Sequence, residues 1–77
     1  MRTIQQGIYK HFKGGEYDVI GVAVHSETGE ELVLYRPRYG NRSYTVRPYD
    51  MFTDHVQKGD YDGPRFELIV SNETGLI

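Results

Sequence analysis

Arginine and tyrosine alternate through the middle of the chain, and both side chains can bind ligands. Residues 32–49 hold four arginines and no acid, whereas the rest of the chain holds five basic residues against eleven acids. Guanidinium groups pair in a bidentate way with carboxylates and phosphates, and tyrosine rings stack on planar groups. The segment therefore predicts a surface that binds an acidic or proline-rich peptide, or single-stranded nucleic acid. Its side chains are Tyr35, Arg36, Arg38, Tyr39, Arg42, Tyr44, Arg47 and Tyr49.

The same pattern has a plainer interpretation, because mixed surface charge is normal for soluble domains. The arginines would then be solvated strand and turn positions that balance neighbouring acids, and the tyrosines would cover the core. An arginine can also lock strands together by pairing with Glu27 or Asp50. Both interpretations stay open on the sequence alone.

A second set of polar residues lies around a predicted hairpin turn. His25 and Glu27 are two positions apart, and Glu31 is predicted opposite His25. An imidazole between carboxylates is a candidate general base or part of a metal site, which His11 would join if the first strand lies beside the second. The simpler interpretation is a cross-strand contact between histidine and glutamate. The spacing matches no zinc pattern, so we predict no metal site.

The fingerprints of catalysis and cofactor binding are missing. Ser26 and Ser43 lack the strand–turn–helix elbow that exposes a catalytic serine. Gly14-Gly15 is not a phosphate loop, because neither the lysine of such a loop nor a following helix is predicted. We therefore predict no catalytic residue and no cofactor. These missing motifs favour a protein that is not an enzyme.

Length and composition indicate one small domain spanning residues 1–77. A chain this short buries a small core and has modest stability. The sequence contains no cysteine, which fits a reducing cytoplasm. No stretch is long and apolar enough to span a membrane, and residues 1–10 lack the apolar core of a signal peptide. The net charge of −2 argues against non-specific coating of nucleic acid.

The element that must position these residues is a hairpin over residues 16–35. Residues 19–24 are rich in β-branched side chains and predict a strand rather than a helix. Gly29 suits the left-handed position that closes a three-residue loop with a bulge. That loop sets the register and pairs Val24 with Leu32. The two faces are then Val22, Val24, Leu32 and Leu34 on one side, and Gly21, Ala23, Val33 and Tyr35 on the other, with Tyr35 over Gly21.

Shorter elements flank the hairpin. Residues 7–12 predict a first strand, and residues 13–15 a glycine-rich turn. Pro37 ends the second strand of the hairpin, because proline cannot donate to a ladder. Residues 38–42 predict another turn, and residues 43–47 a short strand.

One helical turn is predicted after that strand, over residues 48–56. Asp50 would cap it, and Met51 and Phe52 would plug the core, since a small domain needs its large apolar residues inside. Residues 57–63 predict a polar loop.

The last strand completes the predicted fold. It covers residues 64–70, while residues 1–6 and 71–77 are predicted to be loosely ordered. Five short strands with one helical turn before the last predict an all-β fold, a small SH3-like barrel, whose closure removes exposed edges. The inward residues of the last strand would be Phe66, Leu68 and Val70.

Short motifs along the chain form a recognisable set. They are Gly7-Ile8-Tyr9-Lys10-His11-Phe12-Lys13-Gly14, Val24-His25-Ser26-Glu27-Thr28, Leu34-Tyr35-Arg36, Val46-Arg47-Pro48, Met51-Phe52 and Pro64-Arg65-Phe66. Together they resemble a family of short bacterial proteins known only as a domain of unknown function. The resemblance covers residues 7–66 and implies a small SH3-like β-barrel, but no activity. Arg36, Arg47 and Arg65 each lie in one of these motifs, which gives them weight as binding residues.

We therefore predict a bacterial, cytoplasmic, non-enzymatic binding or accessory module with a protein or peptide partner. One alternative is contact with single-stranded nucleic acid through the same surface, which would depend strongly on salt. Others are a small enzyme or metal protein using His11, His25 and Glu27, and a subunit that dimerises through an open sheet edge. The predicted binding residues are Tyr35, Arg36, Arg38, Tyr44, Arg47 and Arg65.

Overall fold

The computed structural model describes residues 2–71, and strands dominate that range. β-branched and aromatic side chains recur through the longer strands, as a half-buried sheet requires. In chain order the elements are β1 (Gly7–His11), β2 (Glu16–Val24), β3 (Glu31–Pro37), β4 (Thr45–Pro48), α1 (Tyr49–Phe52), β5 (His55–Lys58), β6 (Tyr61–Pro64) and β7 (Phe66–Ser71). Within the described residues, no helix has the length and apolar character needed to cross a membrane.

Five strands form one antiparallel sheet in the order β4-β3-β2-β1-β7, and β5 pairs with β6 in a separate hairpin. The predicted β-rich fold with one short helix is confirmed. Among residues 2–71, β4 pairs only with β3 and β7 only with β1, so the sheet keeps two edges. These pairings do not close the sheet, and the SH3-like barrel is therefore not confirmed.

The polar segment after α1 is a hairpin rather than the predicted loop. Gln57 of β5 pairs with Asp62 of β6, and Gly59 turns the chain with a φ of +59°. Most side chains here are exposed, so their hydrophobic alternation is too weak to mark a strand in the sequence. Val56 is buried and belongs to β5, not to the helical turn predicted over residues 48–56.

The central hairpin folds in a register one residue away from the predicted one. Val24 lies opposite Glu31, not Leu32, because the Gly29 N–H donates to the His25 carbonyl at 2.9 Å and shortens the loop. Gly29 has the predicted positive φ, at +77°. Val24 is consequently 50 % exposed, and the predicted aliphatic face is wrong.

A bulge at Ile20 changes which side chains of the hairpin face the core. The register shifts between Val19 and Gly21, so Val19 lies opposite Tyr35. Both of these side chains are buried, while Ile20 is 37 % exposed. A bulge inserts one residue and thereby changes which side chains share a face. Tyr35 is therefore a core residue and does not cover Gly21 as predicted.

Aromatic rings make up most of the core. Phe52 of α1 stacks on Phe66 of β7, with 4.0 Å between ring centres and 7° between ring planes. Phe52 is 1 % exposed, as predicted, whereas Met51 is 52 % exposed and does not plug the core. A single helical turn directs two consecutive side chains in different directions, so only one of them faces the sheet. The buried cluster is Tyr9, Val19, Val33, Tyr35, Phe52 and Phe66.

Phe66 is the residue of β7 that reaches the core. Leu68 and Val70, which were expected to point inward, are 39 % and 49 % exposed. β7 is an edge strand, and its pairing with β1 is interrupted by a register shift between Ile8 and Tyr9. The shift falls between Leu68 and Val70, so it changes the facing of Val70, while Leu68 keeps the register of Phe66. Both side chains are exposed on this edge strand, so the inward prediction for them is wrong.

The N-terminal residues lie across the ends of the hairpin and the helix. The Arg2 guanidinium pairs with Glu31 at 2.6 Å and with Asp50 at 2.5 Å, and it lies 4.1 Å from the centre of the Tyr49 ring. Asp50 makes no capping hydrogen bond, so its predicted role as helix cap is wrong. Loose order is predicted for residues 1–6 and 71–77, of which residue 1 and residues 72–77 lie outside the described residues. Ser71 belongs to β7 and lies opposite Gly7.

Candidate functional site

Arg47 lies on β4 and reaches over the aromatic core. Its Nε–H donates to the Tyr35 hydroxyl oxygen at 3.4 Å, and its Cζ lies 5.5 Å from the centre of the Phe66 ring. Antiparallel pairing places Arg47 opposite Val33 of β3, and the Arg47 side chain is half-buried. We call the following set the Arg47 face: His11, Tyr17, Tyr35, Arg47 and Phe66.

The rings of the Arg47 face contact one another and form a firm floor. Tyr17, Tyr35 and Phe66 lie 5.5 to 5.7 Å apart between ring centres, in edge-to-face geometry. His11 adds a further ring, 4.8 Å from that of Phe66. Contacts of this kind stabilise the fold beyond the burial of apolar area. The floor takes one ring from each of the strands β1, β2, β3 and β7.

Arg47 carries a charge that no carboxylate of the described residues neutralises in an ion pair. The ion pairs within residues 2–71 use other cations, and none of them includes Arg47. The pKa of Asp54 is lowered chiefly by hydrogen bonds from Arg65, and Arg47 contributes only a smaller, longer-range effect. Charged groups that are partly removed from water usually have a partner of opposite sign. Arg47 is therefore a candidate for a partner outside the chain.

His11 is a hydrogen-bond donor at the edge of the Arg47 face. Its Nδ1 accepts the Lys13 backbone N–H at 3.1 Å, which leaves the proton of the neutral ring on Nε2. Burial lowers the pKa of His11, and the positive charges of Arg47, Arg65 and Lys13 lower it further. The ring is therefore neutral at neutral pH and presents an N–H group.

Tyr17 and Tyr39 share a hydrogen bond, with 3.0 Å between their hydroxyl oxygens. This bond, together with burial, raises the pKa of Tyr17 to about 12, so Tyr17 stays protonated at neutral pH. One hydroxyl donates and the other accepts, so the pair leaves one O–H hydrogen that can donate to a ligand. Either hydroxyl can be the donor of this bond, and Tyr39, which is 56 % exposed, is the more accessible of the two.

Arg36 and Arg38, both predicted to bind a partner, are paired with an acid across the hairpin. Arg38 Nη1 lies 2.7 Å from Asp18, and Arg36 Nε approaches the same carboxylate at 3.9 Å. Arg36 also lies 5.3 Å from the centre of the Tyr44 ring, which is itself 63 % exposed. The charges of both arginines are therefore partly compensated within the chain.

Arg65 is also held within the chain. It makes two hydrogen bonds to Asp54, at 2.7 and 3.1 Å, and bidentate pairs of this kind are strong and directional. The pair ties the start of β7 to the residue that precedes β5. A strand-locking arginine was one sequence interpretation, but the partner is Asp54 rather than Glu27 or Asp50.

The candidate cluster of His11, His25 and Glu27 does not assemble. The two histidines lie near opposite ends of β2, which is nine residues long. His25 Nδ1 accepts the Glu27 backbone N–H at 3.1 Å, and Glu31 lies opposite Val24, so the expected contact between His25 and Glu31 is wrong. Residues 2–71 contain no group of three or more histidine, aspartate or glutamate side chains placed to hold a metal ion.

Three members of the Arg47 face are not among the predicted binding residues, and one of them, His11, is predicted only as part of the polar cluster with His25 and Glu27. Phe66 is predicted only as core, and Tyr17 is not singled out at all. The sequence does hold a signal for Tyr17, because it lies two positions before Val19 and so shares a face of β2 with that core residue. Its contact with Tyr35 depends on the hairpin register beyond the bulge, where Tyr35 lies opposite Val19 and not opposite Gly21 as the sequence predicts.

Comparison with known proteins identifies the family of this chain. The sequence profile of a family described as "Protein of unknown function (DUF1653)" matches residues 7–68. The chain belongs to the DUF1653 family. A crystal structure of a DUF1653 protein from Bordetella bronchiseptica is similar, with a TM-score of 0.79 and 29 % identity over 86 % of this chain and 87 % of that chain. No curated protein matches the chain.

The DUF1653 match contains the whole Arg47 face. His11, Tyr17, Tyr35, Arg47 and Phe66 all lie between residues 7 and 68, whereas Arg2 lies outside the matched range. The resemblance to a family of unknown function is confirmed, and the DUF1653 description assigns it no activity. Any function must therefore be argued from the site itself.

Proposed function

We propose that this DUF1653 protein is a non-enzymatic binding module that holds a protein or peptide partner at the Arg47 face. The observation that carries the proposal is the half-buried Arg47 guanidinium, which contacts Tyr35 and Phe66 but forms no ion pair within residues 2–71. A partly buried charge is costly unless water or a ligand compensates it. An acidic group on a partner supplies that compensation.

The surroundings of Arg47 favour recognition over catalysis. Tyrosine hydroxyls and the neutral His11 ring are hydrogen-bond donors, and no activated nucleophile lies beside a base among the described residues of the face. A floor held by four strands is preformed, which reduces the entropy cost of binding. Tyrosine and arginine are also the residue types that dominate binding energy at interfaces.

The proposal includes an SH3-like closure of the sheet and a bacterial cytoplasmic setting. The five-stranded antiparallel sheet supports the first part, because small barrels are built from antiparallel sheets of this size. The absence of cysteine from the sequence supports a reducing compartment. The solved DUF1653 relative from Bordetella bronchiseptica supports a bacterial origin.

Selection from a random peptide library tests the proposal. Peptides that enrich on the immobilised protein are synthesised, and their dissociation constants are measured for the native sequence, Arg47→Ala and Arg42→Ala. Arg42 is the matched control, since it is an exposed arginine of the same segment without an ion pair in residues 2–71. We expect Arg47→Ala to weaken binding roughly tenfold or more, and Arg42→Ala to leave it within about twofold.

The result that would contradict the proposed binding function is also well defined. Amide NMR spectra show whether Arg47→Ala keeps the native fold. Equal binding of the selected peptides by folded Arg47→Ala would mean that the partner does not use the Arg47 face, and the proposal would then be wrong.

A second candidate function is contact with single-stranded nucleic acid, and the exposure of two tyrosines favours it. Tyr39 and Tyr44 are 56 % and 63 % exposed, and exposed rings can stack on bases. An amide NMR titration with a short mixed-sequence RNA, at low and at physiological salt, tests this candidate. Saturable shifts at these tyrosines that weaken with salt support it, and their absence at low salt rejects it.

A further inference from the structure

We infer that the group recognised at the Arg47 face is a single carboxylate of a peptide partner. The inference rests on the proposed binding function and names the chemistry of its ligand. The carboxylate lies against the free edge of the Arg47 guanidinium and accepts further hydrogen bonds from neighbouring side chains. A chain terminus and an acidic side chain both present this group.

The Arg47 guanidinium has a free edge for a bidentate contact. A guanidinium carries five N–H donors, and the hydrogen bond to Tyr35 uses the one on Nε. The terminal Nη1 and Nη2 groups make no hydrogen bond to another described residue, and two parallel N–H groups match the two oxygens of a carboxylate. Tyr35 and Phe66 hold the guanidinium before the ligand arrives, so little side-chain entropy is lost on binding.

The polar side chains beside Arg47 are donors. His11 Nδ1 is already engaged by the Lys13 backbone, so the free N–H of the neutral ring lies on Nε2. The Tyr17–Tyr39 pair has one hydroxyl hydrogen left over. The His11 and Tyr17 rings lie 4.8 and 5.5 Å from the Phe66 ring between ring centres, and the Arg47 Cζ lies 5.5 Å from the centre of the same ring. Donors gathered around a cation select an oxyanion over a cation or an apolar group.

Neighbouring charges favour one carboxylate over a chain of phosphates. Arg38 is paired with Asp18, and Arg65 is paired with Asp54. Each pair has a net charge of about zero and therefore attracts a polyanion only weakly. A nucleic acid strand would bring several phosphates close to the same acids, which repel them. A lone carboxylate meets Arg47 and leaves both internal pairs in place.

Small carboxylates test the inference by NMR, with the Arg47 Nε–Hε signal and the Phe66 backbone amide as readouts. N-acetylphenylalanine presents a C-terminal carboxylate, and N-acetylglutamate α-amide presents a side-chain carboxylate. Their neutral counterparts are N-acetylphenylalanine amide and N-acetylglutamine amide. We expect saturable shifts with at least one carboxylate and none with the neutral amides. The tighter of the two carboxylates identifies the source as a chain terminus or an acidic side chain.

Two substitutions at Arg47 distinguish the role of the paired N–H groups from the role of the positive charge. Arg47→Ala should weaken carboxylate binding roughly tenfold or more, and Arg47→Lys should weaken it as well, because an ammonium keeps the charge but lacks the two parallel N–H groups. Arg42→Ala should bind as the native sequence does. If Arg47→Ala does not fold, Arg47→Lys still tests the inference.

Three results would overturn the inference: no saturable shift at Arg47 with either carboxylate, equal shifts with the neutral amides, or inorganic phosphate binding more tightly than both carboxylates. Failure of the carboxylates while library-selected peptides still require Arg47 would reject this inference and leave the proposed binding function standing. Selected peptides that bind Arg47→Ala as tightly as the native sequence would reject the binding function itself.

Discussion

Phe52 and Phe66 stack with 4.0 Å between their ring centres, and Arg47 contacts the same Phe66 ring from β4. The hydrophobic core and the Arg47 face therefore share two side chains, Phe66 and Tyr35. A substitution of Phe66 would change stability and binding together, so it cannot separate the two. Phe52 belongs to the core alone and is the better probe of stability.

Phe52→Ala should destabilise the fold by about 3–5 kcal/mol, because it removes a fully buried ring from the stack and leaves a cavity. Met51 is the matched control: it precedes Phe52 in α1 but is 52 % exposed, so Met51→Ala should change stability by less than about 0.5 kcal/mol. Urea unfolding at neutral pH measures both. Similar losses for the two variants would mean that α1 does not direct Phe52 alone into the core.

Arg65→Ala should lower stability by about 1 kcal/mol, because it removes the bidentate pair with Asp54, which is only partly shielded from water. Arg47→Ala should cost less stability than Arg65→Ala, since Arg47 has no ion pair within residues 2–71. Thermal unfolding of both variants provides the comparison. The reverse order would show that Arg47 is structural and would weaken its assignment to a binding face.

Gly29→Val should destabilise the hairpin by at least about 1 kcal/mol, since a β-branched residue resists the φ of +77° at this position. No atom of residues 2–71 would lie within 4 Å of a Cβ at position 29, so the cost comes from the backbone and not from a clash. Gly21→Ala is the control, because Gly21 also has open space but no positive φ. We expect Gly21→Ala to be neutral or slightly stabilising. Equal melting temperatures for the two variants would contradict the turn geometry.

Acid should destabilise the fold in two steps. Burial, and then the neighbouring cations, hold the pKa of His11 below 6.5, so stability falls as the pH drops from that value towards the lower folded pKa. Hydrogen bonds from Arg2 hold the pKa of Glu31 below 4.5, and those from Arg65 hold the pKa of Asp54 below 3.8. Their stabilisation is present above these unfolded values and is lost as the pH falls through the folded ones.

Melting temperatures between about pH 7 and pH 3 measure both steps. His11→Gln should remove the upper step and leave the lower one. Arg2→Ala should reduce the lower step, because the Glu31 carboxyl then titrates near its ordinary pKa in both states. A melting temperature that stays constant over this range would contradict both assignments.

The sequence predicts the elements of this fold well where the signal is local. Gly29 indicates the hairpin turn by its conformational freedom, Pro37 ends β3, and Phe52 enters the core. The bulge at Ile20 has no such signal, because Ile20 is an ordinary β-branched residue in a strand. The register that follows from this bulge buries Tyr35.

The candidate site depends on contacts between distant residues, and these follow from register. Arg47 is recognisable as a binding candidate from its residue type and its segment. Its lack of an acidic partner among residues 2–71 becomes visible only when Asp18 and Asp54 are seen to pair with other arginines. Those pairs span 20 and 11 residues of sequence, so composition alone cannot assign them.

The hydrogen bond between Tyr17 and Tyr39 should also allow ligand binding to be measured by intrinsic tyrosine fluorescence. The sequence contains seven tyrosines and no tryptophan, so no indole absorbs the light that tyrosine emits. Phenol emission is sensitive to the hydrogen bond that the hydroxyl makes. A ligand that takes the spare hydroxyl hydrogen of this pair should therefore change the intrinsic fluorescence of the protein, and binding can be followed without a label.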